Sequence, residues 1–485
     1  MKRALWHIIL TLLVGAGLRL FFVLKFPGSS GDTIIYDQLA ANWLAHGKYA
    51  MDVSGQPLSV DIRMPGYPAY LAFVSLLTQQ APENAHRAAM IGQIFVDLGT
   101  CLIIAVLAVL LFRTWAPELS VSGSPHRRRV FFAALWLAVL CPFTANYAAV
   151  PLTEIWAIFF TALATLALTP LLLSAQGPWL FPDERWRRHR WNIFFAGLLT
   201  GLGTLFRPET PLLLATALLV LGFFLLRARK FLRFARISFL LLIGAAVPLV
   251  PWIIRNAVTL HEFQPLTPKD ANLPGELVPK GFMAWEATWL YRVRDNYLVP
   301  WKLNDEEIHI DDIPSSAFDT PEERERISAA LEAYNQDLIL TPEEDAVFGQ
   351  VARERTSRHP LRTYAWIPLK RAIRIWFTPR IELIPVSGHV FPLAYMYRED
   401  PVDQRTTILF FFLNLIYVTL GLWGGWQLWQ RSTLSAPVAF LFLYILLRTA
   451  FLTTLETPEP RYVLVCFPAL MAMAAQLFGP RPARS

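Results

Sequence analysis

Apolar runs long enough to cross a bilayer recur along most of the chain, separated by short polar turns and one long polar stretch. They predict helices at 5–24, 88–112, 130–147, 152–173, 191–206, 211–226, 237–254, 407–428, 434–452 and 462–478. Segment 67–77 is apolar but shorter, and opens on Pro-Gly-Tyr-Pro. The expectation is an all-α polytopic membrane protein with about ten transmembrane helices.

Composition agrees. The 485 residues are 54% hydrophobic and 17% charged, with mean hydropathy +0.39, too little polar surface for a soluble protein of this length. The net charge of +7 invites a nucleic-acid reading. The basic residues argue against it, because they sit in short clusters between apolar runs: Lys2 and Arg3, Arg127 to Arg129, 185–190, 227–236, Arg431, Arg481 and Arg484. That is topology written by the positive-inside rule, so no nucleic-acid partner is expected. If 67–77 spanned the membrane, Arg127 to Arg129 would face outward. We therefore read it as a juxtamembrane helix, which puts both termini in the cytoplasm. The first run resembles a signal peptide but lacks a small-residue cleavage site, so a retained helix is expected. Cys101, Cys141 and Cys466 lie inside apolar runs, match no metal or redox spacing, and read as core thiols.

This topology divides the chain into an N-terminal transmembrane catalytic module, 1–255, with a first outer loop at 25–87; an extracytoplasmic insert, 256–405; and C-terminal transmembrane helices, 406–485. The insert is expected to be mostly helical. One helix is capped by Thr320, with Pro321 first and Glu323 at the capping-box position, and Thr341-Pro342-Glu343-Glu344 repeats the signal. Its acidic runs lack calcium-loop spacing and read as a solvated face. Segment 366–377, with Lys370, Arg371 and Arg374 among bulky apolar residues, reads as an interfacial helix.

The chemistry concentrates on the outer side. A helix beginning near Asp32 places Tyr36, Leu39, Ala40 and Trp43 on one stripe, with Asp32 on the same side and Asp37 turned toward water or headgroups. Asp32 fits an N-terminal cap as well as a catalytic carboxylate. Asp52 and Asp61 read as exposed loop charges. Arg63 precedes the rigid turn Met-Pro-Gly-Tyr-Pro and suits a carboxylate or a phosphate, though snorkelling explains it equally. Each short outer turn carries charge where a connector needs none: Glu154, Arg207, Glu209, Arg255 and Arg461. A carboxylate facing several arginines suits general-base attack with a departing phosphate.

These residues carry a resemblance. Gly31-Asp32 with Tyr36 and Ala40, Arg63-Met-Pro-Gly-Tyr-Pro, Leu152-Thr-Glu154, Gly201 to Arg207-Pro208, Pro251-Trp252-Ile-Ile-Arg255-Asn256 and Glu459-Pro-Arg461-Tyr462 follow one another in order. In this the chain resembles the GT-C superfamily of polyprenyl-phosphate-sugar glycosyltransferases, and more narrowly bacterial relatives of the protein O-mannosyltransferases and the lipid A aminoarabinose transferases. The resemblance implies a GT-C-like fold with juxtamembrane helices in the first outer loop, in a bacterial inner (plasma) membrane with its site facing the periplasm or exterior. It implies an inverting hexosyl- or pentosyltransferase that moves sugar from a polyprenyl-phosphate or polyprenyl-diphosphate donor to a hydroxyl on a protein, lipid or glycan acceptor. Asp32 would be the base. Tyr36, Arg63, Glu154, Arg207, Arg255, Arg461 and Tyr462 would bind substrate, with Arg461 foremost at the phosphate and Glu154 at acceptor or metal. The insert departs from well-known members and leaves the acceptor open. No cofactor is assigned; a divalent metal stays open because the requirement varies within the superfamily. His261 and His389 are isolated and are not taken as ligands.

Two other readings share parts of the pattern. A transporter or flippase of lipid-linked glycans would have the spans and basic outer residues, but it needs neither a structured acidic loop nor a one-sided insert, and no repeated halves occur. A noncatalytic scaffold would tolerate loss of Asp32.

Overall fold

The computed structural model describes residues 2–121, 123–176, 183–270, 272–273, 275–432, 435–455, 457 and 459–480. Leu434, Glu456, Arg481 and Arg484 lie outside the described residues, as do the side chains of Lys2 and 185–189. In chain order the helices begin α1 (Lys2–Lys25), α2 (Gly31–His46), α3 (Gly66–Thr78), α4 (His86–Trp115), α5 (Pro125–Val139) and α6 (Pro142–Tyr147). They continue α7 (Glu154–Gln176), α8 (Asp183–Thr204), α9 (Pro211–Arg227), α10 (Phe231–Ala246) and α11 (Val250–Thr259). Next come α12 (Lys280–Ala287), α13 (Val293–Leu298), α14 (Pro321–Tyr334), α15 (Pro342–Arg358) and α16 (Ile367–Trp376). The chain closes with α17 (Leu393–Glu399), α18 (Pro401–Arg431), α19 (Ala436–Leu452) and α20 (Phe467–Ala474). Among the described residues the only sheet is a hairpin, β1 (Ala50–Val53) against β2 (Gln56–Ser59), with Ala50 opposite Ser59.

The protein is an all-α multi-pass membrane protein. Among the described residues, six helical stretches are long and apolar enough to cross a bilayer: Arg3–Lys25, His86–Trp115, Glu154–Ala175, Phe231–Thr259, Pro401–Arg431 and Pro460–Phe478. Gly66–Thr78, Pro211–Arg227 and Ala436–Leu452 are shorter apolar helices. At ~1.5 Å per residue, α3 reaches about 20 Å of the ~30 Å hydrocarbon, which matches the expected juxtamembrane helix.

The third expected span is broken. α5 stops at Val139 and α6 starts at Pro142, because proline lacks a donor and pushes the preceding residue, Cys141, out of the helical region. The break strands carbonyls at the α5 terminus. Arg19, fully buried on α1, lies against them: its Nη1 donates to Val139 O at 2.9 Å and its Nη2 to Ala138 O at 3.4 Å, an oxygen that also accepts from Cys141 N at 3.3 Å. Its Nε donates to Asp97 Oδ2 on α4 at 2.7 Å, and Asp97 is itself only 1% exposed. Neither residue stood out in the sequence, although one cation and one anion inside neighbouring apolar spans is a readable signal. Elsewhere, Gly197 and Gly201 on α8 let α10 approach closely: a Cβ at either would stand 2.1 and 2.2 Å from Leu241 O and Ala245 O. This is the small-residue packing of membrane helices.

The chain forms two compact units. One comprises Met1–Lys269, Pro379–Ile445 and Leu464–Ser485; the other comprises Asp270–Thr378 and Leu446–Val463. Segments 256–269 and 379–405, which hydropathy assigns to the insert, pack with the first unit. Segment 446–463 packs with the second. The reason is local bonding: Asp403 on α18 accepts from the amides of Ser387 (2.7 Å) and Gly388 (3.0 Å), and Arg380 Nε donates to Asn414 Oδ1 at 2.9 Å.

The second unit is a helical domain around Phe282, Trp285, Trp289, Tyr334 and Phe348. Both predicted caps form. Thr320 Oγ1 accepts from Glu323 N at 3.3 Å, and Thr341 and Glu344 exchange bonds of 3.3 and 2.8 Å. The solvated-face reading of the acidic runs needs correction. Glu323 is 2% exposed and accepts from Arg355 at 3.1 Å and from Arg358. Its cost of burial is offset by these partners. α16 buries Ile367, Arg371, Ile375 and Trp376 and exposes Leu369 and Ile373, the amphipathic pattern expected.

Asp97→Leu, which leaves the Arg19 guanidinium buried without its carboxylate, is expected to cost about 3–5 kcal/mol. The pair Arg19→Met/Asp97→Leu should recover part of that loss, because no charge then stays unpaired. Thermal unfolding in detergent, followed by monodispersity, reads both; equal loss in the single and double variants would count against the pairing.

Candidate active site

The first outer loop is held by backbone carbonyls that the broken third span exposes. Gly28 N donates to Ala149 O at 2.9 Å, and Gln93 Nε2 on α4 donates to Ala148 O (3.2 Å) and Val150 O (2.9 Å). Gln93 Oε1 accepts from the Tyr67 hydroxyl at 2.8 Å, and the Tyr67 ring packs on Tyr36 with centroids 5.1 Å apart. α2 opens after Ser30, whose amide donates to Thr33 Oγ1 at 3.1 Å. Asp32 is therefore the second residue of the helix, not its cap. An acid there is favoured by the helix dipole, and its carboxylate accepts from Arg63 Nη2 at 2.8 Å. The buried residues of α2 are Thr33, Tyr36, Leu39, Ala40 and Asn42, whereas Trp43 is 37% exposed. Asp37 does not face water: it bonds His86 Nε2 at 2.8 Å.

Arg63 is brought to a second charged turn through Gly66. The Gly66 amide donates to Leu205 O at 2.7 Å, and a Cβ on Gly66 would lie 2.6 Å from that oxygen, so only glycine fits. Leu205 leads directly into Arg207. The Arg207 Nη2 donates to Glu154 Oε1, and its Nη1 stands 3.6 Å from Glu209. Glu154 opens α7 and is 3% exposed. Tyr36 lies in the field of both ion pairs. Burial, and then the Asp32 charge, push its hydroxyl up to about 12, against the pull of Arg63 and Arg207. Asp32, Tyr36, Arg63, Glu154 and Arg207 thus form one cluster.

Arg255, on α11, holds the hairpin of the same loop. Its Nη2 donates to Tyr49 O at 2.6 Å and its Nη1 to Val60 O at 2.8 Å, with the guanidinium 5.4 and 5.2 Å from the Tyr49 and Trp252 ring centres. Beside it opens a pocket of about 360 Å³, whose lining includes Trp43, Lys48, Tyr49, Trp252 and Arg255. Gly66 and Leu205, which join the Arg63 and Arg207 turns, also line it. Charged cluster and apolar pocket therefore share a wall.

Arg461 and Tyr462 belong to the second unit. There Arg461 Nη2 donates to Glu459 Oε1 at 2.8 Å, and the Tyr462 hydroxyl donates to the same oxygen at 2.6 Å. Asp61 is half-buried rather than exposed, and burial raises its carboxyl above the ordinary value; Asp52 is exposed and accepts from Asn42 at 3.1 Å. His389 bonds Ser387 at 2.7 Å. Among the described residues no three His, Cys, Asp or Glu side chains converge to hold a metal ion. Glu154, the carboxylate considered for one, is engaged by Arg207. Tyr49 was missed in the sequence: its hydroxyl donates to Arg63 O at 2.9 Å while its carbonyl accepts from Arg255. A lone tyrosine after Gly-Lys carries no periodic signal that would single it out.

No family model matches the chain, and no curated protein matches it. Among solved structures it is similar to ArnT from Cupriavidus metallidurans bound to undecaprenyl phosphate, at 14% identity and TM-score 0.42, over 96% of this chain and 77% of that one. The apo state of that protein gives 14% identity and TM-score 0.42, over 98% and 78%. ArnT is a lipid A aminoarabinose transferase, a GT-C enzyme. The motifs in the sequence resemble the same enzymes.

Gly66→Ala is expected to separate the Arg63 turn from the Arg207 turn while sparing the helices. The checks are thermal stability in detergent and crosslinking between cysteines placed at Met64 and Phe206. Unchanged crosslinking would show that the contact tolerates a side chain.

Proposed function

We propose that this protein is an inverting glycosyltransferase that moves a sugar from a polyprenyl-phosphate carrier to a hydroxyl acceptor at the outer face of the membrane. The observation that carries the reading is the Asp32–Arg63 pair, set against the turn of Arg207 and sharing a wall with an apolar pocket. Hydrocarbon suits that pocket, and Lys48 and Arg255 supply positive charge at its lining. The carrier would be of the class bound in one of the ArnT structures, a polyprenyl phosphate.

The chemistry is a single displacement. The acceptor oxygen forms a bond to the anomeric carbon as the bond from that carbon to phosphate oxygen breaks, and the phosphate leaves with the electron pair. Asp32 takes the acceptor proton. The Asp32 and Arg63 side chains are 23% and 25% exposed, so solvent and a ligand can reach the pair. A donor phosphate, which binds a guanidinium fork well, can therefore take over Arg63 and leave the carboxylate to the acceptor. Glu154, by contrast, is buried, and it orients Arg207 toward the developing phosphate charge.

The test is transfer from purified polyprenyl-phosphate sugars in nanodiscs. Asp32→Asn should lower kcat by about 10²–10⁴-fold with donor binding retained. Arg63→Ala should raise the donor KM by about tenfold, a loss of ~1.4 kcal/mol. Wild-type turnover by Asp32→Asn would sink the assignment. An intact donor lipid accumulating in a deletion strain would name the sugar.

A further inference from the structure

A second pocket, away from the charged cluster, lies where α1, α4 and α5 pack on one another. It measures about 290 Å³ and is lined by Ala4 and Ile8 of α1, Val106 and Val109 of α4, and Phe131 and Phe132 of α5, with Arg127 and Arg128 beside them. The walls are hydrocarbon and aromatic, and the Phe131 and Phe132 rings meet edge to face at 5.4 Å. Its polar side is cationic.

The arginines are unusual where they stand. Arg127 and Arg128 stand in the first turn of α5, which contains no acidic residue, and Arg129 follows them. The dipole makes that end positive and favours anions. Three cations there repel one another and the helix terminus. Among the described residues neither Arg127 nor Arg128 enters an ion pair, and Arg128 is exposed. Arg127 and Arg128 thus place positive charge beside a slot that accepts hydrocarbon. The volume lies at the low end of the ~300–1,000 Å³ typical of small-molecule sites, enough for part of one acyl chain. The positive-inside rule accounts for the arginines alone; it does not account for an apolar slot that ends on them.

We propose that this pocket binds an anionic diacyl phospholipid, its phosphate held by Arg127 and Arg128 and one acyl chain lying between Ile8, Val106, Val109 and Phe132. Such a lipid would neutralise the α5 terminus and fill the gap among the three helices. The proposal stands apart from the reaction above.

Native mass spectrometry of the full chain, with phosphatidylglycerol and phosphatidylcholine supplied in equal amounts, tests it. The expected result is one retained phosphatidylglycerol per chain, with retention at least about tenfold weaker in Arg127→Gln/Arg128→Gln and in Ile8→Trp, which fills the slot. Equal retention of phosphatidylcholine overturns the proposal. So does loss in the arginine variant with full retention in Ile8→Trp, because charge then attracts lipid without a pocket. A measurement on the wild-type chain avoids any folding defect: phosphatidylglycerol with a photoreactive acyl chain should label the peptides containing Ile8, Val109 and Phe132. Labelling confined to other spans overturns the assignment.

Discussion

Inside a bilayer no water is present to satisfy a backbone carbonyl, and the break in the third span creates several that need donors. Much of the membrane unit depends on how they are met. Proline at 142 ends α5 at Val139, and the carbonyls of Ala138 and Val139 turn to the buried Arg19 guanidinium. A cation at a helix C-terminus is favourable in itself, but a buried one needs a counter-charge. Asp97 supplies it from α4. One buried pair thereby joins α1, α4 and α5 and stabilises a discontinuity that proline imposes.

The discontinuity then organises the outer side. Past α6 the chain runs as a turn from Ala148 to Pro151 whose carbonyls accept from Gly28, Gln93 and Thr33. Those bonds fix the first outer loop against the start of α7, so that Asp32 and Tyr36 come to lie near Glu154. Gly66 completes the arrangement by letting one backbone touch another. The resulting cluster contains two ion pairs of different character. The wetter one, Asp32 with Arg63, is partly open to solvent. The carboxylate of the other, Glu154, is buried and would cost several kcal/mol to leave unpaired.

The legibility of these features tracks the range of the interaction behind them. Thr320 and Thr341 were recognisable as caps because capping acts over four residues. α3 was recognisable as too short to span because length is local. Asp37, Asp61 and Glu323 were not, because their partners or burial come from other segments: His86 in one case, Arg355 and Arg358 in another. The insert boundaries shifted for the same reason. Polarity reports what avoids lipid, whereas the bonds of Asp403 and Arg380 decide what packs with which unit.

The amino-acid sequence by itself determined that the chain crosses a membrane in helices and that Asp32 and Arg63 occupy one outer loop. It also singled both out as candidates, because apolar periodicity, charge spacing and turn residues act along the chain. Only the tertiary structure decided that Asp32 pairs with Arg63 rather than capping its helix, that Glu154 belongs to Arg207, and that Arg255 braces the hairpin beside a pocket. Those outcomes depend on which carbonyl or guanidinium arrives from a distant segment, and that is set by packing, not by neighbours in sequence.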